Sequence, residues 1–554
     1  MDSNLKMNYI LFLVLSTLVI IGYSYFFSKD AEKEKTQVTK TQTNLESPTK
    51  TNDINVNNIN EEINTANEKY SGEIINIESD LYTVKIDTLG PKIVEWNLKK
   101  YKQSIEPEAP SVKIVDKTKN SFNTIINIKN KDIPPLIPFR YSGKKNLILD
   151  SESVNINLSW SDKSGIIINK TLTFYPDKYF IEEYLNIKNN SDTKITEKVF
   201  INWSNNVFES SNRATNFNFV TLVNNDVERI KKSVKEPKKF TGQIDWFGFS
   251  DKYFLHSLLP NLGENLNLDI GSENNKGIIN ANFSYPAHAI SPNNNKELKW
   301  RVYLGPKDTE ILKTVHPSLE QSVDYGYVGS LTKIAVKILK FTNQYINNYG
   351  ISIIVITIVL RLIFLPITVK SMISMKKVQQ KMQAIKPQID ALKEKYKDDR
   401  QTQQTEMMKL YTSHGVNPLS SLGGCLPLLI QFPVFIALYF ALLYSIDLRQ
   451  SSFLWIQDLA EPEHLFDILG IPFRILPLLM GVSWFFSQRL TPMTSPGSET
   501  MELQMKMMQF MPIIFTVMFW GLPSGLILYW TVSNILSIGQ QLYINRHTTS
   551  LQGG

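Results

Sequence analysis

Apolar and polar positions are arranged in three ways along the chain, and each predicts a different kind of structure. Residues 9–27 (YILFLVLSTLVIIGYSYFF) form an apolar run without a charge, about long enough to cross a hydrocarbon core of roughly 30 Å. Lys6 precedes the run, and Lys29 and Asp30 follow it. The stretch YSYFFSKD at its end offers no small-residue cleavage site, so residues 1–28 are expected to be an uncleaved signal anchor rather than a cleaved signal peptide. Residues 29–70 are Lys, Glu, Thr, Asn and Gln with few large apolar side chains, too little burial to offset ordering entropy, and read as a disordered tether. From 71 to 312 the period is two. Runs such as LYTVKIDT, VNINLSW and IIINKTLTF alternate apolar and polar positions, and turn signals such as Leu89-Gly90-Pro91 punctuate them. Many short strands with polar turns predict a large antiparallel β-sandwich.

Around 325–347 the period becomes helical. Val328, Leu331, Ala335, Ile338, Leu339, Thr342, Tyr345 and Ile346 fall on one stripe, with Lys333, Lys337 and Lys340 opposite. Such a helix just before an apolar run is expected to lie in the membrane interface; packing on the β-domain is the alternative. Five further apolar segments follow at about 351–369, 419–444, 475–487, 507–520 and 522–542. The third and fourth are short for a span of ~20 residues and require bilayer thinning or neighbouring protein. With the amino-terminal anchor they make six predicted transmembrane helices, the last five forming an all-α core over 350–545. The fold class expected is therefore a multi-domain membrane protein, a polytopic helical core plus an external all-β domain. No internal repeat is visible, which argues against a transporter built from inverted halves.

Charge orients these spans. The connection 370–416 carries Lys376, Lys377, Lys381, Lys386, Lys393, Lys395, Lys397, Arg400 and Lys409, whereas 445–472 carries Asp447, Asp458, Glu461, Glu463 and Asp467 against Arg449. The positive-inside rule makes the first cytoplasmic and the second external, with both termini inside and the β-domain outside. Within 371–415, Met375, Val378, Met382, Ile385, Ile389, Leu392 and Tyr396 repeat in a 3-4 spacing that needs a partner helix; 401–411, folding back, predicts a coiled hairpin with an exposed lysine face. Pro387 is expected to kink its first helix. Solubility and topology are the simplest use of those lysines.

Composition adds exclusions. The mean hydropathy of -0.15 averages a polar first two-thirds with an apolar last third, and the net charge of +7 is modest for 554 residues. Cys425 is the one cysteine, so an intrachain disulfide is impossible; it lies too far from the amino terminus for Leu422-Gly423-Gly424-Cys425 to be a lipidation box. Zinc spacing, a Walker A loop, HExxH and a Ser-His-Asp arrangement are all lacking, so no cofactor, no metal and no enzymatic activity are expected.

Arg361, inside a run of Ile, Val and Leu, is the sharpest chemical signal. A central arginine costs about 2.5–3.5 kcal/mol on insertion scales and persists where it finds water, a partner or a function. Snorkelling is the plain alternative, but Lys370 is roughly two or three turns away, so the guanidinium would stop short of bulk water. The other spans offer no Asp or Glu for an ion pair. Gln431, Gln488, Ser533, Asn534 and Gln540 are candidates for polar wall, although each alone is more often an interhelical hydrogen bond. Trp530, Ser533, Ser537 and Gln540 recur on one helix face.

These pieces coincide with one family. NPLSSLGGCLPLLIQFPVFIALYFAL (417–442), MPIIFTVMFWGLPSGLILYWTVSNILSIGQQ (511–541) and VLRLIFLPITVKS (359–371) resemble the spans of YidC-type membrane protein insertases, the YidC/Oxa/Alb family. The likeness covers the chain from about residue 325 onward. The anchor and β-domain, with DWFGFSDKYF (245–254) and LGPKD (304–308), are in keeping with the Gram-negative form. The resemblance implies a five-helix core with a hydrophilic groove open to cytoplasm and lipid, a periplasmic β-supersandwich, and an inner-membrane location. It implies nascent membrane proteins as substrates, with the Sec translocon, the translating ribosome and the lipid bilayer as partners of a monomer. In that frame Arg361, Gln431, Gln488, Tyr529, Trp530, Ser533 and Asn534 would line the groove. Lys376, Lys377, Lys381, Lys393, Lys395 and Arg400, with the 489–506 loop, would meet the ribosome. The tail 546–554 holds only Arg546 and His547 as basic candidates, so a long basic ribosome-holding tail is not expected. Two other functions compete. A channel or transporter with an external β-domain predicts a path through both leaflets instead of a groove ending midway. A carbohydrate-sensing envelope protein lacks support from any aromatic and acidic cluster in 71–312.

Overall fold

The computed structural model describes residues 72–116, 120–131, 133–206, 218–230, 236–261, 266–273, 278–326, 328–415, 426–490 and 499–550. The expected signal anchor, the tether, Cys425, residues 491–498 of the 489–506 loop and the end of the tail lie outside the described residues.

Residues 72 to 306 build three sheets around one core. In the largest, eight strands follow the order Asp226–Ile230, Asn218–Val223, Ile244–Ser250, Phe254–Pro260, Asn295–Pro306, Phe180–Asn189, Ile166–Phe174 and Val154–Ser161. A six-stranded sheet is centred on Ile195–Asn206, which pairs with Asn120–Ile128, Ile278–Ser284 and His288–Ile290. A five-stranded sheet holds Ile74–Glu78 between Tyr82–Asp87, antiparallel, and Asn146–Ile148, parallel. Ile166–Phe174 shows the expected alternation, burying Ile166, Ile168, Leu172 and Phe174. Phe254–Pro260 is buried on both faces, so its apolar run carries no alternation at all. Trp96, Trp246 and Trp300 fill the interior. Lys170 is buried with them because Glu183 (2.8 Å) and Thr124 Oγ1 (3.0 Å) receive its ammonium.

After the sheets the chain turns helical. Helix α1 (Thr309–Val315) is capped by Asp308, whose carboxylate accepts from the backbone N–H of Glu310 at 2.8 Å. Helix α2 (Gly329–Ile346) ends at Asn347 in the left-handed conformation, and Asn348 caps α3 (Tyr349–Lys395) by accepting from Ile351 N. Two asparagines thus make the corner. The stripe read on α2 is divided by the structure. Thr332, Ala335 and Leu339 are buried, toward α3 and α5 (Leu426–Tyr444), while Leu331 (44% exposed) and Tyr345 (77%) join Ile334 and Phe341 on an open apolar face. Lys340, assigned to the polar face, turns inward to Asp308 and Asp447. The helix therefore packs against protein and still exposes an apolar side.

Among the described residues α3 is the one helix long and apolar enough to cross a membrane by those criteria alone; 431–444 and 509–521 are apolar but shorter. It runs without interruption through Pro366 and Pro387 into the lysine-rich region, where Met382, Ile385 and Ile389 pack on Met407 of α4 (Arg400–Ser413). Asp399 starts the return helix by capping Thr402 N at 3.1 Å. Three more helices complete the bundle: α6 (Ile475–Leu490), α7 (Glu499–Met518) and α8 (Ser524–Ser550).

Candidate functional site

Arg361 sits about 18 Å along α3 from Tyr349 and about 14 Å before Lys370, at ~1.5 Å per residue. Its side chain is half-buried and crosses to α8. Nε donates to Ser533 Oγ (3.0 Å), and Nη2 donates to the same oxygen (2.5 Å) and to the Ser533 carbonyl (2.9 Å). From α5, Gln431 Nε2 donates to Ser533 Oγ (3.1 Å) and to Tyr529 Oη (3.0 Å). Ser533 and Tyr529 are buried. Arg361, Gln431, Tyr529 and Ser533, named separately from the sequence, thus form one hub joining three helices. Among the described residues the guanidinium donates to neutral oxygens, and the apolar stretches of α3, α5, α6, α7 and α8 contain no Asp or Glu to neutralise it.

Helix α8 makes a second contact of the same kind one heptad on. Gln540 Nε2 donates to Thr368 Oγ1 at 2.9 Å, and the offset between the helices, 172 residues, is the same for Arg361 and Ser533. Equal offsets seven residues apart mean that α3 and α8 run parallel with a coiled-coil-like repeat. The other side of α8 repeats the device toward α6. Asn534 Nδ2 donates to Ser483 Oγ (3.1 Å) and Gln541 Nε2 to the Leu490 carbonyl (2.9 Å), each across 51 residues. Asn534 is therefore a tie to α6 and does not join the Arg361 hub. Gln488 is half-buried further along α6 than Ser483. Thr368, Ser483 and Gln541 are not among the residues the sequence singles out, although the pairs Ser533-Asn534 and Gln540-Gln541, one heptad apart in an apolar helix, carry the signal.

Trp530 packs among rings, 4.8 Å from Phe435, 5.2 Å from Phe519 and 5.6 Å from Trp484. With Tyr529 buried, the aromatic pair named as groove wall knits α8 to α5, α6 and the turn after α7.

At the end of the bundle next to the β-domain, the connection between α5 and α6 ties the ends of α6, α7 and α8 together. Glu463, buried, accepts from Trp455 Nε1 (2.6 Å) and from Leu476 N (2.7 Å), which caps α6. Arg474 Nε donates to the Glu463 carbonyl (2.7 Å) and its Nη1 to the Trp520 carbonyl. The Glu461 carbonyl receives Ser524 N and Oγ at the start of α8. A Cβ on Gly525 would lie 3.0 Å from the Leu459 carbonyl, so α8 approaches this connection closely enough that a larger residue would need the neighbour to shift by a few tenths of an ångström. The β-domain is fastened to the same end. Lys252 pairs with Glu461 (3.2 Å), Arg449 Nη2 donates to the Lys102 carbonyl (2.5 Å), and Lys340 lies between Asp308 (2.7 Å) and Asp447 (3.2 Å). Burial by itself would lower the Lys340 pKa, but the two carboxylates hold it above its ordinary value.

At the opposite end, Lys377, Lys381 and Lys395 are exposed on α3, with Lys381 reaching the Gly415 carbonyl at 3.2 Å; Lys376 and Lys393 are half-buried, and Arg400 opens α4.

Comparison with known proteins agrees with this architecture. Residues 341–551 match the 60Kd inner membrane protein family, and residues 74–338 match the YidC periplasmic domain. The membrane protein insertase YidC of Pelobacter propionicus is 36% identical over 483 residues, 85% of this chain and 86% of its own. That of Geobacter sp. strain M21 is 34% identical over 478 residues, 85% of each. That of Geotalea daltonii is 30% identical over 539 residues, 96% of this chain and 98% of its own. With a helical inner-membrane region and a periplasmic β-domain matched over most of its length, the chain belongs to the YidC family of membrane protein insertases.

Proposed function

We propose that this chain inserts nascent membrane proteins by offering polar segments a partly hydrated path through the inner half of the bilayer, organised by Arg361. The supporting observation is the hub itself: a guanidinium at mid-depth held by Ser533 oxygens, with no carboxylate in the surrounding spans. Such a cation retains attraction for an acidic or polar group of cargo, which lowers the cost of carrying that group across. Gln431 and Tyr529 extend the polar wall. The ties at Glu461 and Glu463 support a groove that ends at the periplasmic side instead of a through-going pore. The topology is six spans with both termini cytoplasmic, in keeping with the basic 370–416 and acidic 445–472 connections. The chain acts as a monomer, alone or with the Sec translocon. The lysines exposed at the α3–α4 hairpin and Arg400 receive the translating ribosome. Energy comes from transferring apolar cargo into lipid, aided by the membrane potential, worth about 2.3 kcal/mol per charge per 100 mV.

The test is reconstitution in liposomes with single- and double-span cargo, comparing wild type with Arg361→Ala and Arg361→Lys. A hydrogen bond to a charged group is worth about 1.5–3 kcal/mol, so Arg361→Ala should slow insertion of acidic-tailed cargo roughly ten- to a hundredfold. Arg361→Lys should have a milder effect. Equal insertion by all three across every cargo defeats the proposal.

A further inference from the structure

The connection between α5 and α6 carries a small hairpin that the ties between the helix ends do not use. Its strands, Phe466–Ile468 and Ile471–Phe473, pair only with each other. Phe466 opposes Phe473 with rings 5.0 Å apart, and Ile468 opposes Ile471, so both pairs lie on one face. Asp467 and Pro472 form the other face, where Asp467 Oδ1 lies 3.2 Å from His464 Nε2. The apolar face is open: Phe466, Ile468 and Ile471 are each about half or more exposed.

The tip is stranger. Leu469 and Gly470 both have positive φ, 53° and 78°. A two-residue turn of this kind favours asparagine or aspartate before glycine, because a branched apolar side chain gains nothing locally from the left-handed conformation. Here leucine occupies that position and is 99% exposed. A two-stranded ribbon is marginal in water, and none of the six strand residues of this one is fully buried. Helix α6, which follows the hairpin in the chain, also exposes apolar side chains: Ile475, Leu478, Leu479 and Val482. The same connection binds Lys252 of the β-domain, so the hairpin stands at the β-domain end of the bundle.

We propose that this hairpin is a lipid wedge: its Phe466, Ile468, Leu469, Ile471 and Phe473 side chains enter the outer leaflet of the bilayer, and Asp467 with His464 stays in the headgroup water. The wedge rests on the proposed topology, in which this end of the bundle is periplasmic. Charge placement fits an interface, since the polar groups are confined to one face and the tip carries none.

The test uses the full chain with Cys425→Ser and either Leu469→Cys or, on an exposed β-domain loop, Lys144→Cys. In spheroplasts a membrane-impermeant maleimide should label the Lys144→Cys protein; failure to do so, with labelling from the cytoplasmic side, sinks the topology. In phosphatidylethanolamine–phosphatidylglycerol vesicles an environment-sensitive fluorophore at position 469 should shift to the blue relative to position 144. A lipid with a shallow spin label should quench it, and aqueous iodide should not. Iodide quenching equal to that at position 144 places the tip in water and overturns the wedge alone. Protection from both iodide and spin-labelled lipid means that protein covers the tip, and also overturns it.

Discussion

Lys170, Lys340 and Arg361 meet three different environments. Lys170 is fully buried and paired with Glu183, so its charge is cancelled where it sits. Lys340 is shared between two carboxylates. Among the described residues, Arg361 donates to neutral oxygens of Ser533. A side chain in the first two settings is neutralised by a carboxylate; one in the third is not, and the proposed attraction for acidic cargo rests on that difference. The β-domain contains the opposite case. His256 is buried in a strand covered on both faces, and burial pushes its pKa down to about 3. Its depressed value means the folded state resists protonation that the unfolded chain accepts below its ordinary pKa near 6.5, so stability is lost as pH falls through that value toward 3. At pH 5 the loss should be about 2 kcal/mol. Circular-dichroism melts of the full chain at pH 7.5 and 5 should show a β-domain loss that is smaller by that amount in His256→Asn; equal losses would mean that His256 does not titrate in this way.

At the scale of elements, α8 organises the bundle because polar ties leave it on two sides at one heptad spacing. In membranes an interhelical hydrogen bond averages about 0.6 kcal/mol and reaches about 1.7. Gln540→Ala and Thr368→Ala, alone and together, should therefore show coupling within that range in unfolding of detergent-solubilised protein, and Gln541→Ala should add independently. Additivity of the first two would remove the tie. Much of this was legible in the sequence wherever one side chain decided the outcome: the Arg361 anomaly, the Met382-Ile385-Ile389 seam, and the alternation at 166–174. What escaped depended on a partner far along the chain. The pairing of Gln540 with Thr368 is invisible until the two helices are known to run parallel. Lys340 was assigned to the polar face because helical period reports spacing and not which charges face it; Asp308 and Asp447 decided its direction. Asn534 looked like groove wall for the same reason, one position from Ser533 but turned about 100° to α6.

The whole molecule depends on how the β-domain is held over its end of the bundle. The polar contacts that do this include Lys252 with Glu461, Arg449 and Gln450 with the Lys102 carbonyl, and Lys340 with Asp308 and Asp447. They differ in shelter. Glu461 is substantially exposed, so its pair with Lys252 is weak and open to screening by salt. Lys340 and its two carboxylates are each no more than a quarter exposed, and they join three parts of the chain: the start of α1, the middle of α2 and the end of α5. Removing the lysine leaves two carboxylates facing each other, which should push α1 and the α5 end apart. Lys340→Ala and Asp447→Asn should therefore be strongly non-additive, with a coupling of roughly 0.5–3 kcal/mol. The structural consequence is measurable directly. Spin labels on the β-domain, at Lys144→Cys, and on the α3 hairpin, at Lys381→Cys, in a Cys425→Ser background should give a narrow distance distribution in nanodiscs. Lys340→Ala should broaden it and Lys252→Ala should not. If both variants keep the wild-type distribution, the apolar contacts of α2 with α3 and α5 hold the domain without help from charge, and the lysine merely neutralises its neighbours.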